Sequence, residues 1–243
     1  IKDDGSYLKL TKELDKRSLV LTAFPISANR FRLGYSYDLS WGGSSIFQDS
    51  KAAPGMRVEL NSKTSSLFLG AKTGLGTVNM PDETIEVDTL WGVLGGGFID
   101  LSEQLRFEVG SGFFHRGTIN KPGLQIQEGD RVRVAPWQGF GASAQLTYHL
   151  GTEIGIPVDF RLMKNDPIAS SKKMKTPTYD DELSFVLKSE LSVLGQTVQD
   201  LDQPSTTTVQ PAIGGDITAQ FKAGRMRLHA LLVYRDLAFI LFD

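Results

Sequence analysis

A chain of 243 residues suits one large β domain or two small ones, and nothing in it has the composition of a linker, so it reads as a single domain over residues 1–243. Its formal net charge of -2, with basic and acidic residues interspersed, gives no electrostatic case for a nucleic-acid partner. The lack of cysteine excludes disulfides and thiolate metal sites, and no run approaches the roughly 18 consecutive apolar residues of a spanning helix.

The opening Ile1-Lys2-Asp3-Asp4-Gly5 has neither a basic start nor an apolar stretch after it. It is not a secretory leader, and we read the chain as a processed, exported protein. From there, alternation dominates. A first strand is expected around Leu8 and Leu10, and a second at Leu19, Leu21 and Ala23. Phe31 to Trp41 then places every bulky apolar or aromatic side chain at an odd position, with Arg32 and Asp38 between them. Successive side chains of a strand point to opposite faces, so this segment predicts one aromatic face and one wet face.

Further strands follow at Met56 to Leu60, Leu67 to Ala71, Ile85 to Val93, Leu105 to Phe113, Phe140 to Tyr148, Ile154 to Leu162, Leu183 to Leu191 and Ile217 to Phe221. A last one, from Met226 to Tyr234, blurs toward Phe242. The tally is about 12 strands of the length that crosses a bilayer obliquely. A mean hydropathy of -0.14 is compatible, because alternation averages away.

Connection lengths take turns through the middle of the chain. Asn61 to Thr64, Asp100 to Glu103, Gly151 to Glu153 and Ala223-Gly224 read as tight turns. Gly42 to Gly55, Leu75 to Thr84, Gly117 to Asp130 and Lys164 to Asp181 read as long polar loops. An up-and-down barrel segregates short turns to one rim and long loops to the other, whereas a Greek-key sandwich has no reason to. The order weakens at the ends, where Leu14 to Arg17 is short and Gly195 to Pro211 is long.

With the apolar parity assigned to lipid, the residues pointing inward are Arg32, Asp38, Arg57, Glu59, Lys72, Glu86, Asp88, Arg106, Glu108, Asp159, Arg161, Lys188, Glu190, Asp216, Lys222 and Arg227. So many inward charges need either water in the lumen or a network of ion pairs. About 8 strands leave an interior filled by side chains and 16 to 18 leave an open channel. At about 12 strands, both a narrow mixed-charge pore and a lumen filled by paired side chains stay open. Outward Tyr35, Tyr37, Trp41, Trp91, Phe107, Phe113, Phe140, Tyr148 and Phe160 would form interfacial girdles.

The glycines within or beside strands mark bends or close approaches, and Gly95-Gly96-Gly97 lacks the spacing and helix of a nucleotide loop. His115, His149 and His229 do not form a catalytic set: His115 and His149 belong at opposite rims, and no G-x-S-x-G elbow or H-E-x-x-H helix occurs. No enzymatic activity, cofactor or metal is expected. Lys172, Lys173 and Lys175 lie on a loop that reads as solvated.

On its alternation, glycine use and loop asymmetry, Leu19 to Tyr234 resembles the outer-membrane β-barrel proteins of Gram-negative bacteria. The chain departs from that class by ending Leu241-Phe242-Asp243 rather than on an aromatic. The resemblance implies an all-β, antiparallel up-and-down transmembrane barrel in the outer membrane, in contact with its lipid and lipopolysaccharide and with other envelope proteins. The expected function is a narrow pore for small polar solutes. The alternatives are a structural barrel anchoring an envelope complex through its loops, and a soluble exported lipid-binding β-protein.

Overall fold

The computed structural model describes residues 7–25, 32–35, 39, 41, 53–79, 85–118, 125–128, 131–134, 136–151, 183–200, 202–203 and 205–240. Its architecture is all-β. The strands are β1 (Leu8–Leu14), β2 (Arg17–Phe24), β3 (Gly55–Asn61), β4 (Ser65–Asn79), β5 (Ile85–Asp100), β6 (Leu105–Thr118), β7 (Gln125–Glu128), β8 (Arg131–Val134), β9 (Pro136–Leu150), β10 (Ser184–Gln199), β11 (Thr207–Ala223) and β12 (Met226–Arg235), followed by one helical turn, α1 (Leu237–Ile240). Ten of them form one sheet in the order β1-β2-β3-β4-β5-β6-β9-β10-β11-β12, and β7 and β8 form a separate hairpin. Every neighbouring pair in the large sheet is antiparallel.

The sheet therefore holds ten strands rather than the twelve expected, and β1 and β12 are its two outer members. Two expected strands account for the difference. Ile154 to Leu162 lies outside the described residues, and β9 pairs directly with β10. The described residues of Phe31 to Trp41 do not join the ladder: among them only Leu33 and Trp41 are bridged, by hydrogen bonds of 3.0 and 2.9 Å.

Removing that strand repairs the anomaly at Leu14 to Arg17. β1 and β2 join through a two-residue turn, Asp15-Lys16, in which Asp15 adopts φ 31, a left-handed conformation that Asp tolerates better than most residues. At the other end of the sheet, Gly224 at φ 53 closes the β11–β12 hairpin. The expected long loops are also shorter than read, since β4 runs on to Asn79, β10 to Gln199, and β11 starts at Thr207. β12 ends at Arg235, and the chain then turns into α1 instead of continuing to Phe242.

Strand lengths divide the sheet. β1, β2 and β3 have 7, 8 and 7 residues, whereas β4, β5, β6, β9, β10 and β11 have 14 to 17. The apolar parity faces outward along the long strands: Leu67, Leu69, Val87, Trp91, Val109, Phe140, Leu146, Leu191 and Ile217 are all exposed. The opposite parity is buried, and it wraps around internal residues. Tyr35 sits within electrostatic reach of Arg57 on β3, Glu108 on β6 and Glu190 on β10.

Candidate functional site: a filled, two-layered interior

The inner face is read most directly through its register. One row of partners crosses the sheet as Thr11, Val20, Glu59, Phe68, Gly96, Gly110, Ser143, Ser192, Gly214 and Arg235. Residues directly opposite one another share a face, so the whole row points inward. Toward the short turns, the next inward row holds Ser66, Phe98, Glu108, Gln145, Glu190 and Asp216. Toward the loops, the inward positions are Leu90, Leu94, Phe114, Trp137, Leu194 and Ala212, all of them buried.

The interior is thus polar in its turn-side half, while its loop-side half is apolar along β5, β6, β9, β10 and β11 but also buries Thr22, Arg57, Lys72 and Gln196. Burial forces the inward charges to find partners. Arg57 Nη2 meets Glu59 Oε1 at 2.6 Å, with its guanidinium 4.4 Å from the centre of the Phe68 ring. Gln145 donates to Glu108 Oε2 at 2.8 Å. Ser192 Oγ donates to Glu190 Oε1 at 3.0 Å and shares a 2.6 Å hydrogen bond with Ser143 Oγ. Nearer the turn rim, Arg106 makes two bonds to Asp100, at 2.6 and 3.0 Å, with its charge 3.8 Å from the Phe98 ring centre.

The apolar part of the wall is covered by the described residues of the chain's own segment before β3. Leu33, Tyr35, Leu39 and Trp41 are all buried, with Leu39 at 0 % exposure. Trp41 packs on Phe114 with ring centres 4.7 Å apart, and the Tyr35 N–H donates to Glu190 Oε1 at 2.9 Å. The chain's far end enters beside them. Asp236 accepts from Phe239 N–H and from Ile213 N–H, each at 2.7 Å, and Gln196 donates to the Ala238 carbonyl at 2.8 Å.

Glycines make the room for this internal segment. A Cβ on Gly214 would stand 2.8 Å from Leu39 and 3.2 Å from Phe239. One on Gly141 would stand 2.9 Å from Trp41, and on Gly110 3.4 Å from Leu33. These strand glycines form a recess shaped to the segment that fills it, a close approach of the kind strand glycines mark.

Several expected positions change accordingly. Tyr35 and Trp41 are interior rather than lipid-facing: Trp41 packs on the apolar wall at Phe114, and Tyr35 is held by its backbone bond to Glu190. Tyr37, Phe160, Asp38, Asp159 and Arg161 lie outside the described residues, and only the backbone of Glu86 is described. Of the other charges assigned inward, Arg57, Glu59, Lys72, Glu108, Glu190 and Asp216 are buried on the inner face. Arg32, Asp88, Arg106, Lys188 and Lys222 are half-buried, and Arg227 is exposed on the short-turn side of edge strand β12.

The outward aromatics gather at two heights. Trp91, Phe113 and His115 stack near the loop side, with ring centres 5.2 and 5.7 Å apart. Tyr148 and Phe185 meet at 6.3 Å near the turns. On β9, the eight residue steps from Phe140 to Tyr148 span about 26 Å along the strand.

The three histidines are dispersed: His115 stacks outward on Trp91, while His149 and His229 stand opposite Val186 and Gln220. Among the described residues, no cluster of three or more His, Asp or Glu side chains could hold a metal ion. No family model, curated protein or solved structure matches this chain.

Proposed function

We propose that this chain is a transmembrane β-barrel of the outer membrane, a narrow mixed-charge pore for small polar solutes that is closed at rest by its own Leu33, Tyr35, Leu39 and Trp41. The observation that carries the reading is the exchange of environments between the two parities. Leu69 is 62 % exposed and Leu191 58 %, while Arg57 and Glu190 are each 3 % exposed. A soluble protein would bury the first pair and hydrate the second. A barrel in lipid inverts them.

Closure of the sheet belongs to this reading. Ten strands in up-and-down order make β1 and β12 antiparallel, and Leu8, Leu10 and Leu14 share the outer face with Met226, Leu228, Leu232 and Tyr234. The partner row that begins at Thr11 ends on Arg235, the last residue of β12. The seam must therefore slip by an even number of residues, which is the stagger that tilted strands need.

The glycine recess favours a second reading, a permanently sealed barrel that anchors other envelope proteins through its loops. Flotation with lipid vesicles and planar-bilayer recording separate the readings. A closed pore floats, conducts little, and conducts when Trp41→Ala loosens the segment. A barrel that floats and never conducts is an anchor. A folded protein that stays off the vesicles and is stable without detergent is neither, and would support the soluble lipid-binding alternative.

A further inference from the structure

We infer that the turn-side rim of β1 to β4 is a docking surface for the phosphate headgroups of anionic phospholipids. The inference rests on the membrane reading above but not on the pore. Lys12 and Arg17 stand diagonally on neighbouring strands, since Lys12 pairs with Leu19 and Leu14 with Arg17. Residues opposite one another share a face, so both cations lie on the outward, lipid-facing parity with Leu10, Leu14 and Leu19.

Two turns add to the pair. Lys16 lies in the β1–β2 turn and Lys63 in the β3–β4 turn, and the turns are neighbours because β2 pairs with β3, with Ser18 opposite Asn61. Adjacent strands lie about 4.8 Å apart, so Lys12, Lys16, Arg17 and Lys63 fall within roughly 15 Å of rim. All of them are exposed, and none makes an ion pair among the described residues. Nearby carboxylates do not cancel them. Asp15 is the single acid in the two turns, Glu13 stands opposite Ser18 on the inward parity, and the outward parity of β1 to β4 carries no Asp or Glu. In the closed barrel β12 lies beside β1, and its turn and outward parity add Arg225 and no acid.

Height selects the occupant. Lys12 is two residues from the turn-side end of β1, as Tyr148 is from the end of β9, where it meets Phe185 in the turn-side group of outward aromatics. Aromatic girdles mark the boundary between hydrocarbon and water. A lysine stem on that face lies along the leucines and carries its ammonium to the headgroup level, where lipid phosphate is the counter-charge. A free anion would meet only a solvated rim, whereas a bilayer holds its phosphates at this height.

Mass spectrometry of the intact, detergent-released chain mixed with phosphatidylglycerol or phosphatidylcholine of the same acyl length tests this by counting the lipids retained. Saturable preference for phosphatidylglycerol is expected, weakened about fivefold by Lys12→Gln or Arg17→Gln and at least tenfold by the two together. Lys9→Gln, on the inward parity of the same strand, should leave it unchanged. If the double variant fails to fold, Lys16→Gln with Lys63→Gln, both in turns, should show a loss of the same size. Equal retention of the two lipids, an equal loss in Lys9→Gln, or unaltered retention in the double variants would overturn the site. So would displacement by free glycerol phosphate at the concentration of the lipid, which would make the ligand a soluble anion. Flotation keeps two failures apart: a chain that floats with phosphatidylcholine vesicles and shows no lipid preference loses this site alone, and one that floats with neither lipid loses the membrane reading and the site with it.

Discussion

Trp41→Ala tests whether the internal segment is held by packing. Trp41 is 6 % exposed, lies against Phe114, and faces a wall from which Gly139 and Gly141 have removed the side chains. Truncating a buried tryptophan typically costs about 3–5 kcal/mol. Among the described residues, the segment's other anchors include the Tyr35 hydrogen bond and the contacts of Leu33 and Leu39, none of them part of the sheet's own ladder, so most of that cost should fall on its docking rather than on the sheet. At about 1.4 kcal/mol per tenfold, the undocked population rises roughly a hundred- to several-thousand-fold.

The natural chain has no cysteine, so Leu33→Cys gives a single thiol at a site that is 3 % exposed. Its maleimide labelling rate follows the undocked population when redocking outpaces labelling. The prediction is a rise of at least a hundredfold when Trp41→Ala is added to Leu33→Cys, with strand content unchanged. Equal rates in the two proteins would refute the docking argument, and fast labelling in both would mean that the segment is not seated at all.

Four further outcomes follow from the same geometry. Leu191→Arg, in the middle of β10's outer face, should cost about 2–4 kcal/mol when unfolding is followed in lipid vesicles, and no loss would mean that this face never meets hydrocarbon. Glu59→Gln should destabilise by about 3–5 kcal/mol by stranding part of the Arg57 charge, while Arg57→Met with Glu59→Leu should recover most of that in denaturant titrations. Leu10→Cys paired in turn with Met226→Cys, Leu228→Cys, Ala230→Cys or Leu232→Cys should give an intramolecular disulfide in one register, whereas pairing it with His229→Cys, on the opposite face, should not. Disulfides only between molecules would place the seam elsewhere. Gly214→Val should speed Leu33→Cys labelling by crowding Leu39 and Phe239, while Gly95→Ala, whose nearest neighbour is Leu69 at 3.4 Å, should leave it alone.

Much of this molecule can be read without coordinates. Alternation located the sheet strands from Leu19 to Ala23 and Met56 to Leu60 through Met226 to Tyr234, Ile154 to Leu162 excepted, and parity assigned Arg57, Glu59, Glu108, Glu190 and Asp216 to the buried face. The filled interior also left a trace that went unused. Leu90 beside Trp91, Phe114 beside Phe113 and Leu194 beside Val193 put apolar residues on both parities within the loop-side halves of three strands. Strands covered on both faces read that way, and an aqueous lumen would not have tolerated it.

Period-two patterning says that two faces of a chain meet different surroundings, but not which surroundings. Along the long strands, that pattern determined the strands and the choice of inward charges, because a strand's side-chain direction is local geometry, and the alternating connection lengths gave the antiparallel order. For Phe31 to Trp41 the same pattern pointed to a lipid-facing strand, and the fold placed its described residues Leu33, Tyr35, Leu39 and Trp41 in the interior. Only the tertiary structure could decide that, because the recess beneath them is assembled from Gly110, Gly141 and Gly214 on three strands far apart in the chain. Complementarity between distant segments is a property of the folded wall and leaves no period in the segment that fills it.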